Sequence, residues 1–327
     1  MEFYENEVRP ERAFLVSVDT GEFDAEASYE LYELTESAGA QPVGAMIQKR
    51  EKPDGATCIG SGRLEELKEV CQSQEIDLII FDCELSPTQI RNLEFETEVR
   101  IIDRTMLILD IFASRARSRE GKLQVELAQL KYLLPRLTGK GAAMSRLGGG
   151  IGTRGPGESK LETDRRHIRR RLESLREQLA QVEQHRNQLR RRREKEGIIT
   201  AHCGLHQRGK IHLMNTLTDA GVLAEDKLFA TLDPTSRALK LPNGVSVMLI
   251  DTVGLVRRLP HHLVEAFHST LEEAALADMI LNVCDASSPE AQVHLEVTRK
   301  LLADLGCTGR PVIRDEQGDC ALLLIFP

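Results

Sequence analysis

One stretch decides how the chain is interpreted, Gly204-Leu-His-Gln-Arg-Gly-Lys-Ile211, which follows the phosphate-loop pattern G-x-x-x-x-G-K-[ST] in all but its last position. In such a loop, backbone N–H groups freed by glycine point into one concavity at the start of a helix and bind phosphate there. Gly204 and Gly209 supply the glycines, and Lys210 supplies charge for the β- and γ-phosphates. Ile211 stands where a hydroxyl would bind Mg²⁺. The sequence therefore predicts a nucleotide site that lacks one metal ligand.

Two further segments fit the same site. Asp251-Thr-Val-Gly254 follows an apolar strand, where the aspartate can hold a metal-bound water and the glycine N–H can meet a γ-phosphate. Phe229-Ala-Thr-Leu-Asp233 lies between the loop and this segment and offers Thr231 as a further ligand from a switch loop. Each segment alone is compatible with a turn in an unrelated α/β protein, but their order and spacing favour one site. The predicted nucleotide-binding residues are Gly204, Leu205, His206, Gln207, Arg208, Gly209, Lys210, Ile211, Phe229, Ala230, Thr231, Leu232, Asp233, Asp251, Thr252, Val253 and Gly254.

Length and composition are typical of a soluble protein with two domains. The chain has 327 residues, of which 41% are hydrophobic and 29% charged, so each of two domains can bury its own core. The net charge of -8 argues against broad nucleic-acid coating and restricts any RNA contact to a local patch. No apolar run is long enough to span a bilayer, and the N-terminus is acidic rather than a signal peptide. Seven cysteines without a C-x-x-C pair favour reduced thiols in a cytoplasmic protein, which we expect to be a monomer.

Residues 1–104 alternate short apolar runs with helical patterns. Strands are predicted over 13–18, 43–48, 77–81 and 99–103, and helices over 25–39, after a Ser61 cap, and from Ser86-Pro87. The continuous apolar character of 77–81 is typical of a strand buried on both faces. This order predicts a small parallel α/β domain.

The remainder divides into two parts. Over residues 105–196, the helical spacing of apolar residues predicts a helical hairpin linker with a glycine-rich loop, 148–157, at its tip. Residues 197–327 return to an α/β pattern, with strands predicted over 198–203, 245–250 and 279–284. The predicted fold class is therefore α/β, with a parallel N-terminal domain, a helical linker and an incomplete doubly wound phosphate-loop domain.

Basic residues concentrate around the glycine loop and on the helix that follows. The candidate RNA contacts are Arg146, Arg154, Lys160, Arg165, Arg166, Arg169 and Arg170. Their clustering in an acidic chain favours contact with an RNA backbone, which would depend strongly on salt. The alternative is a solvated helix face whose arginines pair with nearby glutamates such as Glu162 and Glu173. The sequence leaves both interpretations open.

Several segments together resemble the HflX family of ribosome-associated GTPases. They are Ile59-Gly-Ser-Gly62, Asp103-Arg-Thr105, Gly121-Lys-Leu-Gln-Val-Glu-Leu-Ala-Gln129, the glycine loop with Glu158-Ser-Lys-Leu-Glu-Thr-Asp164, Asp226 to Thr235, Asp251 to Gly254, and Leu259 to Phe267. The resemblance runs from about residue 10 to about 312 of the numbered chain. It implies a GTPase domain that binds GTP, GDP and Mg²⁺ and acts on 50S subunits, their rRNA or stalled ribosomes. By this resemblance, Gly204 to Lys210 would hold phosphates and Thr231 would bind Mg²⁺.

The chain departs from the family pattern in two places. The family loop ends in serine, and Ile211 removes that hydroxyl, at a cost of about 1.5–3 kcal/mol if the bond is charge-assisted. The N-K-x-D sequence that reads guanine is absent, and Val312 to Pro327 replaces it, so we expect a C-terminally truncated domain with weaker guanine preference. The leading hypothesis is therefore a GTP-binding protein with impaired hydrolysis. The alternatives are a non-enzymatic ribosome- or RNA-binding scaffold with a remnant nucleotide fold, and a truncated inactive product.

Overall fold

The structure of the chain is a computed structural model. It describes residues 9–21, 25–137, 156–195, 199–205, 215–218, 229, 235–251, 277–283, 296, 299 and 303. The chain divides into two compact units, one of Met1–Ser114 with Gln129–Arg170, the other of Arg115–Ala128 with Arg171–Pro327. The boundaries 1–104, 105–196 and 197–327 that the sequence suggests stay a prediction.

The first unit contains a four-stranded parallel sheet in the order β2-β1-β3-β4. Its elements are β1 (Arg12–Asp19), α1 (Ala25–Ser37), β2 (Gln41–Lys49), α2 (Ser61–Gln74), β3 (Leu78–Phe81), α3 (Pro87–Thr97) and β4 (Arg100–Asp103). Each of the first three strands is followed by a helix, which returns the chain to the end of the sheet where that strand began. The next strand therefore runs in the same direction, and all four strands are parallel. This arrangement confirms the predicted parallel α/β fold.

The core of the first unit forms where the two central strands meet the helices. All four residues of β3 are buried, as the uninterrupted apolar run predicts for a strand covered on both faces. Phe14, Val16 and Phe81 belong to one buried cluster, which Leu67 of α2 and Leu93 of α3 complete from the helices. Full burial of each such side chain contributes about 1.5–3 kcal/mol. Apolar burial therefore fixes β1 and β3 at the centre of this sheet.

Two helices of this unit begin in different ways. α3 has a capping box, in which the Ser86 hydroxyl accepts the Gln89 N–H at 3.2 Å and the Gln89 side chain accepts the Ser86 N–H at 2.8 Å. Pro87 follows as the first helical residue, as predicted. The predicted Ser61 cap is wrong by one residue, because Gly60 is the N-cap of α2 and makes no side-chain hydrogen bond.

Within the described residues, three helices lie between β4 and the next strand, where the sequence predicted a two-helix hairpin. They are α4 (Arg104–Arg115), α5 (Arg119–Arg136) and α6 (Pro156–Lys195). The chain leaves the helical conformation after Arg115, and the Ser118 hydroxyl accepts the Gly121 N–H at 2.9 Å to start α5. Residues 148–155 of the predicted glycine loop lie outside the described residues, whereas Pro156 and Gly157 already belong to α6.

The second unit contains a four-stranded sheet in the order β6-β7-β5-β8. Its strands are β5 (Ile199–Leu205), β6 (Thr235–Lys240), β7 (Ser246–Asp251) and β8 (Met279–Val283). β5 pairs in parallel with β7 and β8, whereas β6 is antiparallel to β7. The sequence analysis did not predict β6, although Asn243-Gly244, with Gly244 at φ 85°, is a typical hairpin turn. The segment from Val312 to Pro327, which stands where the family has N-K-x-D, lies outside the described residues.

The described helices do not include a candidate membrane-spanning segment. Across the described residues, every helix is too short or too polar to cross a bilayer. Even the long α6 carries arginine and glutamate through most of its length.

The capping box of α3 leads to a stability prediction. We expect Ser86→Ala to lower the free energy of unfolding by about 1 kcal/mol, because the first turn of the helix loses a satisfied N–H group. Ser61→Ala is the matched control and should change it by less than about 0.5 kcal/mol, since that serine caps nothing. Urea unfolding, with amide hydrogen exchange in α3, measures both. Equal effects of the two substitutions would contradict the capping interpretation.

Candidate nucleotide site and basic helix

The candidate nucleotide site lies at the carboxyl edge of the second sheet, where the phosphate loop begins. Parallel strands end at the same edge, and open α/β sheets bind ligands there. β5 is the central strand, and its register places Cys203 opposite Asp251 of β7 and Gly204 opposite Asn282 of β8. Neighbouring strands are about 4.8 Å apart. Gly204, the first glycine of the loop, therefore comes directly after Cys203, the residue that pairs with Asp251.

Asp251 is the buried acidic residue at this edge. Its side chain is 3% exposed and follows Leu249 and Ile250, both buried, so the carboxylate marks the point where an apolar strand ends. A buried carboxylate is costly unless it serves hydrogen bonds, a cation or both. The position predicted from the sequence for the metal side of the phosphates is thus acidic, shielded from solvent and adjacent to the phosphate loop.

Most of the other predicted site residues lie outside the described residues. The structure places the backbone of Gly204 and Leu205 at the end of β5, but not residues 206–211, 230–233 or 252–254. Phe229 is placed, fully buried, with a backbone φ of 57°. A left-handed backbone costs a bulky residue about 1–2 kcal/mol, so packing of the ring holds it in place. The ring of Phe229 is thus buried, and its assignment to the nucleotide site stays a prediction.

The residues placed here are compatible with Mg²⁺. In nucleotide sites Mg²⁺ is held by one or two carboxylates, water and the substrate phosphates rather than by a cage of protein ligands. Asp251 supplies such a carboxylate. The described part of the chain contains no cluster of three or more histidine, cysteine, aspartate or glutamate side chains that could hold a metal ion. The side chain of Ile211 has no oxygen to add.

The basic segment predicted to contact RNA lies on α6. Arg166, Arg169 and Arg170 are exposed, and Arg165 is partly buried. Arg165 and Arg169 each lie 3.9 Å from Glu162, which is a loose pairing. Within the described residues, Arg166 and Arg170 form no ion pair. Arg146 and Arg154 lie outside those residues, as does the side chain of Lys160.

The next arginine on α6 has a strong partner on another helix. The Arg171 guanidinium donates to both carboxylate oxygens of Glu126 on α5, at 2.6 and 2.7 Å. Arg186 and Glu120 form a second ion pair between the same helices. Arg171 and Arg186 are therefore paired with glutamates, as the alternative interpretation of the basic helix expected. Their partners lie on α5, however, and not one turn away on α6. Sequence periodicity gives no signal for such long-range pairs.

A second group of buried charges lies at the carboxyl edge of the first sheet. Asp103, fully buried at the end of β4, accepts the Leu85 N–H at 3.1 Å and the Met106 N–H at 2.9 Å. Arg136 of α5 donates to the same carboxylate at 3.2 Å, and its guanidinium lies 3.4 Å from the Tyr132 ring centroid. The segment Asp103-Arg-Thr105, singled out in the sequence, thus has a structural role here.

Arg104 makes a similar buried set of ion pairs. It is 4% exposed, donates a hydrogen bond to Asp82 at 2.7 Å and forms an ion pair with Glu30 at 3.0 Å. Burying one guanidinium between two carboxylates satisfies all three charges, and removal of one partner would leave an uncompensated charge. These pairs join α1, the end of β3 and the start of α4.

Comparison with known families assigns most of the chain. Residues 25–113 match the family of GTP-binding GTPase N-terminal domains, and residues 115–193 match the GTP-binding GTPase middle region. Residues 200–313 match the family described as 50S ribosome-binding GTPase. The three matches follow one another without overlap.

Whole proteins align over nearly the same length. GTPase HflX of Caldanaerobacter subterraneus is 55% identical over 304 residues, covering 93% of this chain and 71% of that protein. GTPase HflX of Escherichia coli is 42% identical over 305 residues, covering 93% and 72%. Among solved structures, a complex of SsGBP with GDP superimposes with a TM-score of 0.51 at 26% identity, covering 92% of this chain and 81% of that one.

The ion pair between α5 and α6 makes the stability of the second unit depend on pH. The Arg171 guanidinium holds the pKa of Glu126 below its ordinary value through hydrogen bonds. The pair therefore stabilises the protein above the ordinary glutamate pKa, and the stabilisation disappears as the pH falls through the lowered value. We expect Glu126→Gln to reduce the thermal midpoint slightly at pH 7, because exposed pairs are weak, and to have no effect once the pH is below the lowered pKa of Glu126.

Differential scanning calorimetry across this pH range measures the effect. Glu173→Gln is the matched control, since this exposed glutamate of α6 forms no ion pair among the described residues. A midpoint difference for Glu126→Gln that persists unchanged in acid would show that packing, and not the charge pair, is responsible.

Proposed function

The chain belongs to the HflX family of GTPases, and from this membership we propose that it binds GTP and GDP and acts on the large ribosomal subunit or on stalled ribosomes. The observation that carries the proposal is the register that pairs Cys203, the residue before Gly204, with Asp251 at the carboxyl edge of the second sheet. The GDP complex of SsGBP supports a guanine nucleotide as the ligand. The description of the matched family, a 50S ribosome-binding GTPase, supports the ribosome as the partner.

The proposed roles are those that the resemblance to the family implies for each segment. The loop from Gly204 to Lys210 holds the phosphates with backbone N–H groups and the lysine charge. Asp251 and Thr231 lie on the metal side of the γ-phosphate, and the Gly254 N–H contacts that phosphate. Bound Mg²⁺ would neutralise the charge that develops on the β- and γ-phosphate oxygens.

We propose further that hydrolysis is slow because Ile211 removes one oxygen ligand of the metal. A charge-assisted contact of this kind is worth about 1.5–3 kcal/mol, or roughly a tenfold to hundredfold weaker binding of the metal nucleotide. Nucleotide affinity should therefore depend less on Mg²⁺ than in a complete site. The competing proposal is a ribosome-binding scaffold that binds no nucleotide at all.

Nucleotide titrations separate these proposals. We expect GTP and GDP to bind measurably, and Ile211→Ser to tighten GTP binding about tenfold to hundredfold in the presence of Mg²⁺ but not in EDTA. Ile211→Val is the matched control, because it changes the side-chain volume without adding a hydroxyl. Lys210→Ala should abolish binding in both conditions. Isothermal titration calorimetry with GTP, GDP and ATP measures all three variants.

Two outcomes would contradict the proposed site. If the unmodified chain binds none of the three nucleotides, the scaffold proposal replaces the enzyme. If Ile211→Ser and Ile211→Val behave alike in Mg²⁺, the missing hydroxyl is not what limits metal binding.

The exposed arginines of α6 allow a separate test of the partner. Arg166 and Arg170 form no ion pair within the described residues, so their charges are available to rRNA phosphates. We expect the double change to glutamate to weaken co-sedimentation with 50S subunits and to reduce the slope of log affinity against log salt by about two, or one for each phosphate contact. The double change to lysine keeps the charge and should retain the slope. An unaltered slope in the glutamate variant would exclude this face from the contact.

A further inference from the structure

The first unit holds two cysteine thiols in direct contact, outside the nucleotide site. The Sγ atoms of Cys58 and Cys83 are 3.4 Å apart, although 25 residues separate them in the sequence. Both cysteines are reduced in this structure. Neither residue takes part in the nucleotide or basic-helix sites described above, so the contact requires its own explanation.

The position of Cys58 is set by a closed turn between β2 and α2. Asp54 and Cys58 exchange two backbone hydrogen bonds, of 2.9 and 3.0 Å, and the Asp54 carboxylate accepts the N–H groups of Ala56 and Thr57. Cys58 itself has a φ of 67°, which is costly for a residue with a side chain. The turn therefore holds the Cys58 thiol in a fixed place and stores some backbone strain.

The position of Cys83 is set by the end of β3, and α3 connects it to the same turn. After Cys83 the chain enters α3, whose Gln89 and Asn92 side chains donate to the backbone carbonyls of Asp54 and Ala56 at 2.7 and 3.0 Å. The two cysteines are thus held from both sides by hydrogen bonds that do not involve sulfur. The fold therefore fixes the contact between the two thiols, which does not depend on the chance approach of two unrestrained segments.

The two thiols have different surroundings. The hydrogen bond between them lowers the pKa of Cys58, with Arg50 contributing in the same direction, whereas burial and nearby Asp54 oppose it. The same hydrogen bond, followed by burial and the charges of Asp82 and Asp103, raises the pKa of Cys83. Within the pair, Cys58 is thus the thiol whose pKa is lowered and Cys83 the thiol whose pKa is raised. Such an asymmetry is what a thiol pair needs for exchange chemistry.

We propose that Cys58 and Cys83 form a redox-active dithiol that peroxide oxidises to an intramolecular disulfide. The Cys58 thiolate attacks one peroxide oxygen, the O–O bond breaks, and the products are a sulfenic acid at Cys58 and hydroxide. Cys83 then attacks the sulfenic sulfur, the S–O bond breaks, and the disulfide forms. The protons of the two thiols leave in water, so two thiols and one hydrogen peroxide give one disulfide and two waters.

Geometry permits this step with small movements. A disulfide has an S–S length of about 2.05 Å, so the sulfur atoms must approach by roughly 1.4 Å, which side-chain rotation can supply. Cys58 is buried, but Cys83 is only partly buried and gives a small oxidant a route to the pair. In a reducing compartment, such disulfides are transient and redox-sensing rather than structural. The bond would fix the turn before α2 to the end of β3.

Peroxide treatment of the full-length chain tests the proposal. After oxidation, free thiols are blocked and the chain is digested and mapped by mass spectrometry. We expect a Cys58–Cys83 linked peptide that disappears on reduction, and a higher thermal midpoint for the oxidised chain, since the crosslink restricts the unfolded state. Cys71 is the internal control, because it is buried in α2 and burial raises its pKa to about 11, so it should remain a thiol.

Two variants make the test specific. Cys83→Ser should lose the linked peptide completely and leave Cys58 as a sulfenic acid that dimedone traps, whereas Cys71→Ser should form the link as the unmodified chain does. Titration of the unmodified chain with oxidised and reduced glutathione measures the same equilibrium without any substitution. The proposal is overturned if Cys58 and Cys83 both remain thiols when Cys71 is oxidised, or if Cys58 links mainly to another cysteine.

Discussion

The parallel pairing of β5 with β7 is the constraint on which the candidate site depends. Because both strands run in the same direction, their carboxyl ends meet at one edge, and the register fixes Cys203 opposite Asp251. A shift of one residue would turn Leu249 away from the core and move the aspartate off the edge. Apolar burial along β7 therefore fixes the position of Asp251 beside the end of β5, where the phosphate loop starts.

The same constraint has a different result in the first unit. There the carboxyl ends of β3 and β4 also meet, but the acidic groups at that edge, Asp82 and Asp103, are engaged by Arg104 and Arg136. Buried carboxylates paired with guanidinium groups are committed to structure, because withdrawal of either partner leaves an unpaired charge in a medium of low dielectric constant. At the carboxyl edge of the first sheet, the carboxylates thus hold helices together. The carboxyl edge of the second sheet is instead the proposed nucleotide site.

How much the sequence reveals depends on whether the signal is local. The continuous apolar run of β3 and the Ser86-Pro87 helix start are local, and both were predicted correctly. β6 was missed because Thr235-Ser-Arg-Ala-Leu-Lys240 has neither a continuous apolar run nor the polar–apolar alternation that indicates a strand. The Glu126–Arg171 pair and the contact between Cys58 and Cys83 join residues 45 and 25 positions apart, and periodicity has no way to predict them.

Family membership and catalytic capacity rest on different parts of this chain. Strand register, apolar burial and the position of Asp251 come from the sheet, and none of them requires a hydroxyl at position 211. A chain can therefore lose that hydroxyl and still fold into the architecture by which the family is recognised. Metal binding is more demanding, because an octahedral shell around Mg²⁺ tolerates little change in its oxygen ligands. Under the proposed function, the sheet therefore keeps the site in place, while the oxygen ligands of Mg²⁺ determine how readily bound nucleotide is hydrolysed.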